Sequence, residues 1–290
     1  MLRAALLQMP HGDTLEQNLD KARAMAQSAA AAGARLAVLP EYFFATFQGG
    51  PHTAAPHAPA IRDVLARASR ECGLILAANV IERREVRRAR DEGAESSRLA
   101  PSSSHLVNLG VVYEDGRLAF EQPKVHPMPR EAASGVHPGD AFHAGEAGGR
   151  AMGLLVCADV LYPEAARVLA LQGAQVLLNP VMSPYRESDL TRGSRDAIFV
   201  ARAYDSGAFV LKAGGFRRPH GGEVPSEGPP PGVAGRSLAA APWGVLAKAR
   251  DDFTEEIVLA DLDFSMLDRF RAGQAAFPPR RPDAYRELAD

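Results

Sequence analysis

The run Met152-Gly-Leu-Leu-Val-Cys157-Ala-Asp-Val-Leu-Tyr-Pro163-Glu-Ala-Ala-Arg167 changes character halfway along. Its first part is continuously apolar and bounded by Gly148-Gly149, which reads as a short buried strand. Its second part opens on Pro163, carries Glu164 in the first turn and meets Gly173 just past the end, which reads as a helix. Cys157 stands at the seam. Backbone N–H groups there are free and positively polarised, a setting that favours thiolate over thiol and offers a place for an oxyanion. A free cysteine by itself is more often a small buried hydrophobe. The rest of the chain argues against that here.

Two other polar residues end strand-like runs in the same way. Arg35-Leu-Ala-Val-Leu-Pro leads into Glu41, and Arg117-Leu-Ala-Phe-Glu-Gln-Pro leads into Lys124. Carboxyl ends of strands gather along one rim of an α/β sheet, where ligands bind. Alone, Glu41 reads equally as a solvated loop acid and Lys124 as a surface lysine. With Cys157 they supply a nucleophile, a general base and a cation for an oxyanion.

Working outward, strands alternate with helices. Strand 2–8 is followed by a helix that Asp13 starts, with Glu16 three residues on as a capping box. Leu15, Leu19, Ala22, Met25, Ala26 and Ala29 form its apolar stripe, and Gly33 ends it. Strand 35–39, a helix near 58–71 and strand 74–81 come next. His105 to Tyr113 then pairs with Arg117 to Gln122 across Glu-Asp-Gly as a hairpin. Beyond the cysteine lie strand 175–179, a helix near 192–206, and strands near 207–213, 236–240, 244–249 and 255–261. Residues 82–104 and 219–232 read as loops, the first for its interleaved arginines and acids, the second for its glycines and prolines.

Composition narrows the function classes. With 290 residues and no long linker, the chain is expected to form a single domain over 1–290. A net charge of −2, spread over both halves, gives no electrostatic reason to expect nucleic acid. Two cysteines far apart argue against a disulfide framework and fit a reducing compartment. No leader and no apolar run of about 20 residues is present, so a cytoplasmic protein is expected. The eight histidines show no paired metal-ligand spacing, so no metal is expected, and His126 reads as structural. There is no Walker-type loop and no Gly-x-Gly-x-x-Gly.

The motifs Leu39-Pro-Glu41-Tyr-Phe-Phe, Lys124-Val-His-Pro and Gly153-Leu-Leu-Val-Cys157-Ala-Asp-Val-Leu-Tyr-Pro-Glu-Ala-Ala-Arg167, in this order and spacing, resemble those of the carbon–nitrogen hydrolase (nitrilase) superfamily. Supporting blocks at Leu2–Gln8, 173–180, 202–210, 235–238 and 242–247 extend the resemblance over roughly residues 2 to 285. Departures are Ala158, where an aromatic residue is more usual, Asp205-Ser206 in place of Glu-Asn, and Pro123 before the lysine.

The resemblance implies an α/β (α+β) fold, a four-layer α-β-β-α sandwich of the nitrilase type. It implies a Glu41–Lys124–Cys157 triad with Glu131 as a second glutamate, the N–H of Ala158 as an oxyanion donor, and no cofactor. Tyr42, Ala158, Val181 and Met182, beside these motifs, are the candidates for lining the substrate pocket. The activity implied is hydrolysis of a non-peptide C–N bond through a Cys thioester, on an amide or an N-carbamoyl amine. Asp159, two residues past the nucleophile, is the position that favours amides over nitriles. A nitrilase using the same triad and an inactive binding member of the family are the alternatives. A homodimer or larger even-numbered oligomer is also implied, with a C-terminal arm near 273–290 crossing to a partner.

Overall fold

The structure, a computed structural model, describes residues 1–46, 50–85, 104–184, 195–218, 232–273 and 281–288. The first sheet begins with β1 (Leu2–Gln8), β2 (Leu36–Val38), β3 (Ile75–Glu85), β4 (Ser104–Glu114) and β5 (Arg117–Pro123). The second holds β6 (Gly145–Ala147), β7 (Arg150–Leu154), β8 (Val176–Val181), β10 (Phe209–Gly214), β12 (Leu238–Ala241) and β13 (Gly244–Lys248). A minor pair joins β9 (Ser183–Pro184) to β11 (Val233–Ala234). The chain then returns to the first sheet as β14 (Glu256–Leu262). Spatial order is β14-β1-β2-β3-β4-β5 in one sheet and β13-β12-β10-β8-β7-β6 in the other.

Direction decides where the polar strand ends fall. β1, β2 and β3 run parallel, and the β4–β5 hairpin reverses the chain twice, so β5 ends on the same rim as β2. β7, β8 and β10 are parallel to one another. The hairpin turn has the expected form, with Asp115 at φ +48° and Gly116 at φ +74°, the left-handed pair that matches strand twist.

Three apolar layers make four structural layers. Ala4, Leu6, Leu36, Val38 and Val112 of the first sheet meet Met152, Leu154, Val176, Leu178 and Leu211 of the second. The outer face of the first sheet packs on α1 (Leu15–Ala31) and α3 (Ala58–Cys72), which follows the one-turn α2 (Pro51–Ala54). After the short α4 (Pro129–Ala133), α5 (Pro163–Leu171) and α6 (Arg195–Ser206) cover the second sheet, and α7 (Phe264–Gly273) closes the inter-sheet layer. This is the helix–sheet–sheet–helix sandwich the resemblance implied. Gly110 brings the sheets close beside the cysteine: a Cβ there would lie 2.9 Å from Val156 Cγ2.

Some boundaries differ from expectation. The cap of α1 is Thr14 with Gln17, one residue later than Asp13 with Glu16. The later register lets Gln17 Oε1 accept from both Asp13 N and Thr14 N. The apolar stripe of α1 also contains Asn18, fully buried, which donates to Ala45 O at 2.8 Å and accepts from Gly12 N at 2.6 Å. β3 continues to Glu85 because its ladder with β4 runs on as far as Ser104. Most of the expected loops at 82–104 and 219–232, and much of the expected C-terminal arm, lie outside the described residues. Within that arm, 281–288 forms two short 3-10 turns.

Candidate active site

Glu41 follows β2 after Leu39 and Pro40 and is buried. The chain turns at Tyr42, whose φ of +54° is costly for a side chain of this size, about 1–3 kcal/mol. The turn is held because Tyr42 N–H donates to Asn79 Oδ1 on β3 at 2.7 Å. Lys124 follows β5, and its backbone is pinned on both sides, N–H to Asn108 O and C=O to Gly139 N, each at 2.8 Å. Its side chain is 1% exposed. Nζ reaches Glu41 Oε1 at 2.8 Å and Glu131 Oε2 at 2.6 Å.

Glu131 comes from the first turn of α4, where Met128 N–H caps its Oε2 at 2.8 Å and Tyr42 OH donates to Oε1 at 2.8 Å. Asn108 of β4 donates its one Nδ2 group to both acids, to Glu41 Oε1 at 2.9 Å and Glu131 Oε1 at 2.8 Å. Asn108 Oδ1 in turn accepts from Asn79 Nδ2 at 2.9 Å.

The second sheet delivers the thiol. β7 ends at Leu154, and a 3-10 turn over Cys157–Leu161 stands between it and α5. Cys157 therefore stands between strand and helix as expected, with the 3-10 turn separating it from the helix at Pro163. Its φ is +50°, again a strained left-handed position at the site. Neighbours hold the turn in place. Asn179 of β8 donates to Leu155 O and, at 3.2 Å, to Cys157 O. Asp159 Oδ2 accepts from Val156 N at 3.1 Å, while its Oδ1 lies 2.9 Å from both the N–H and ring Nδ1 of His126. The His126 ring stacks on Tyr162 with centroids 3.6 Å apart. Arg202 of α6 donates to Val160 O and Leu161 O at 2.9 and 3.0 Å.

The two rims meet at Cys157. Sγ donates to Met182 O at 3.9 Å, and Glu41 and Lys124 stand close enough to act on the thiol electrostatically. Met182 N–H points to Glu41 Oε2 at 3.3 Å. Glu41, Lys124, Cys157 and Glu131 thus form one contiguous cluster. Of the other candidates, Met182 touches it through its backbone, and Tyr42 is turned into the carboxylates with its hydroxyl on Glu131. Ala158 and Val181 are buried beside Cys157 and at the end of β8.

Electrostatics follow from burial and these partners. Burial pushes the Cys157 thiol well up and the charge of Glu41 adds to it, with Lys124 pulling the other way. This runs against the expected setting that favours thiolate: desolvation and the carboxylate beside it both favour the neutral thiol. Glu41 is raised by burial, against Lys124 and with Glu131. Burial alone would lower Lys124, but the negative charges of Glu41 and Glu131 hold it high. Burial would raise Glu131, yet Lys124, Met128 N–H and Asn108 keep it below the usual glutamate range.

Sequence reasoning missed the amides Asn79, Asn108 and Asn179. Each is a polar residue inside an apolar strand run, where it must find a partner or cost about 1–3 kcal/mol. That was the signal. Among the described residues no three His, Cys, Asp or Glu side chains group as a metal site, and no helix is long and apolar enough to cross a membrane.

Comparison with known proteins identifies the family and the fold. A family model described as carbon-nitrogen hydrolase matches residues 3–272. An omega-amidase from Homo sapiens is 26% identical over 293 residues, covering 98% of this chain and 96% of that protein. An N-carbamoylputrescine amidase from Arabidopsis thaliana is 31% identical over 139 residues, 47% of this chain and 46% of that one. Among solved structures, a carbon-nitrogen hydrolase from Helicobacter pylori G27 superposes with a TM-score of 0.81 at 23% identity, covering 99% of this chain and 97% of that one. An amidase mutant from Nesterenkonia sp. AN1, with acrylamide added at its active-site cysteine, gives 0.71 at 24% identity, covering 99% and 100%.

Proposed function

Because the chain belongs to the carbon–nitrogen hydrolase family, we propose that it cleaves a small amide or N-carbamoyl amine through a thioester on Cys157. The protein is a hydrolase of C–N bonds other than peptide bonds. The observation that carries the finer reading is the buried cluster in which Glu41 is bonded to Lys124 at 2.8 Å and shares Met182 with the Cys157 thiol.

In this reading the Cys157 proton passes to Glu41 as Sγ attacks the substrate carbon. A carboxylate raised by burial is a stronger base than a free one, which suits it to take a thiol proton. The oxyanion is held by the Lys124 ammonium and the N–H of Ala158. Two Lys124 protons go to Glu41 and Glu131, and the third has no partner among the described residues. Glu131 holds Lys124 in place and keeps it charged. Glu41 then gives its proton to the leaving nitrogen, the C–N bond breaks, and the amine departs. Glu41 next takes a proton from water, which attacks the thioester carbon; the acid leaves and Cys157 recovers its proton.

Amides and N-carbamoyl amines are favoured over nitriles, a reading supported by Asp159 and by the two curated relatives, an omega-amidase and an N-carbamoylputrescine amidase. An even-numbered homo-oligomer is part of the proposal. Leu161, Tyr162, Val168 and Leu171 are exposed along the cysteine turn and α5, more apolar surface than a solvated helix needs. A reducing, cytoplasmic setting is supported by two free cysteines.

The test is ammonia release from amides, N-carbamoyl amines and nitriles of matched chain length. Cys157→Ala is expected to abolish release with an unchanged melting curve, and Cys72→Ala to leave it intact. Near-normal release by Cys157→Ala would overturn the mechanism, and a higher kcat/KM for nitriles across several pairs would overturn the substrate class.

A further inference from the structure

The two oxygens of Glu41 are not equivalent, and the cause lies two residues away from the chemistry. Oε1 accepts from Lys124 Nζ at 2.8 Å and from Asn108 Nδ2 at 2.9 Å. A carboxylate oxygen has two in-plane acceptor sites, so Oε1 is saturated by donors. Among the described residues, Oε2 accepts only from Met182 N–H, at a long 3.3 Å, which leaves one of its acceptor sites open. A proton placed on Oε1 would have to displace the ammonium or the Asn108 N–H, whereas Oε2 has a site left beside the long Met182 contact.

The direction of this arrangement is set by one donor that cannot be reversed. The N–H of Tyr42, fixed by the left-handed turn after Glu41, must donate, so the Asn79 atom facing it is Oδ1. Asn79 then presents Nδ2 to Asn108, which must answer with Oδ1. Only Nδ2 of Asn108 is left to face the two acids. Asn79 and Asn108 are both fully buried, so water cannot substitute for any link.

We propose that Asn79 and Asn108 are positioning residues that lock Glu41 Oε1 as an acceptor and leave Oε2 as the one oxygen that carries the proton between Cys157, the leaving nitrogen and water. This rests on the reading of Glu41 as the base. The groups facing Glu41 are Lys124 after β5, Glu131 from α4, Cys157 from the second sheet and the neighbouring Tyr42; the amides add donors without adding charge. Hydrogen bonds to a carboxylate favour its ionised form, so removing the Asn108 donor raises the pH at which Glu41 gains its proton.

The experiment measures alkylation of Cys157 by iodoacetamide against pH, followed by peptide mass spectrometry with Cys72 as internal reference. No turnover is needed. In the unaltered protein the rate falls on the acid side as Glu41 is protonated. Glu41→Gln should remove that acid limb; a limb that persists would refute the base assignment itself. Asn108→Leu should move the limb up by about 1 pH unit while the Cys72 profile stays put. Asn79→Leu, which frees Asn108 to turn over, should move it the same way. A merely structural role would lower the melting temperature and leave the limb where it was. If Glu41→Gln behaves as expected and a folded Asn108→Leu protein shows an unmoved limb, the inference fails alone. Should Asn108→Leu not fold, a neutron crystal structure of the unaltered protein below the acid limb decides. A deuteron on Oε2 with Asn108 Nδ2 facing Glu41 supports it, and a deuteron on Oε1 or a reversed Asn108 overturns it.

Discussion

Lys124 at the rim of the first sheet and Lys212 in the body of β10 are both buried, yet their environments drive them in opposite directions. Around Lys124, two carboxylates within 2.8 Å outweigh desolvation and hold the ammonium high. Around Lys212, the bonded partners are the carbonyls of Gly235 and Arg236, at 3.3 and 2.8 Å. Burial lowers it, Arg195 adds to that, and Asp196 and Asp252 only partly oppose, so it falls to about 8. Burial sets the size of the penalty, and the partner decides whether the charge survives. A cation proposed to meet a developing oxyanion must survive, and the carboxylates of Glu41 and Glu131 keep Lys124 charged.

The largest effect is expected from Lys124→Met. Without the ammonium, Glu41 and Glu131 are left as buried like charges, and breaking such a pair costs about 3–5 kcal/mol. Turnover should fall ~10²–10³-fold, mostly in kcat. Urea unfolding together with steady-state rates checks both. A variant with full stability would break the contrast with Lys212, because it would mean the carboxylates never depended on the cation.

Next in size is a pH dependence at Lys212. Its folded value lies below the ordinary lysine value of 10.5, so between about 8 and 10.5 the unfolded chain binds the extra proton. The penalty for burying the charge is fully present below pH 8 and is relieved as pH rises through that window. Lys212→Met removes it. The stability of the unaltered protein relative to this variant should therefore improve by about 3 kcal/mol from pH 8 to 10.5. Parallel denaturant curves on the two proteins read this difference, and a constant gap would show that Lys212 stays charged in the folded state.

Glu131→Gln is the smaller test. It keeps the shape and leaves Lys124 paired with Glu41, so the loss should be about 2 kcal/mol, one charge-assisted bond. Because the folded Glu131 titrates below its ordinary value, its contribution is present above the usual glutamate range and is lost as pH falls through the folded value. The difference between variant and unaltered protein should therefore close in acid. A rate loss equal to that of Lys124→Met would mean Glu131 does more than hold the lysine.

The three strand-end residues were legible because each breaks an apolar run at a point where the chain must leave a sheet: Glu41 after Pro40, Lys124 after Pro123, Cys157 after Val156. Asn79, Asn108 and Lys212 were not. They sit within strands, and the periodicity that identifies a strand does not say what faces a polar side chain across the layer. The cap of α1 slipped by one residue because Asp13 and Thr14 are both good caps, and the choice fell to the bonds Gln17 could make backwards.

What the sequence by itself determined was most of the elements, through local period and punctuation at glycine and proline, and the identity of the strand-end groups Glu41, Lys124 and Cys157, through residue type. The four-layer fold was legible through the motifs' resemblance to a family. What only the tertiary structure decided was the state of those groups. Whether the thiol rests protonated, whether a buried lysine keeps its charge, and which oxygen of Glu41 is free depend on desolvation and on partners up to 141 residues away, as Met182 is from Glu41. Coulombic and hydrogen-bond energies fall off with distance in space, and distance along the chain does not report it.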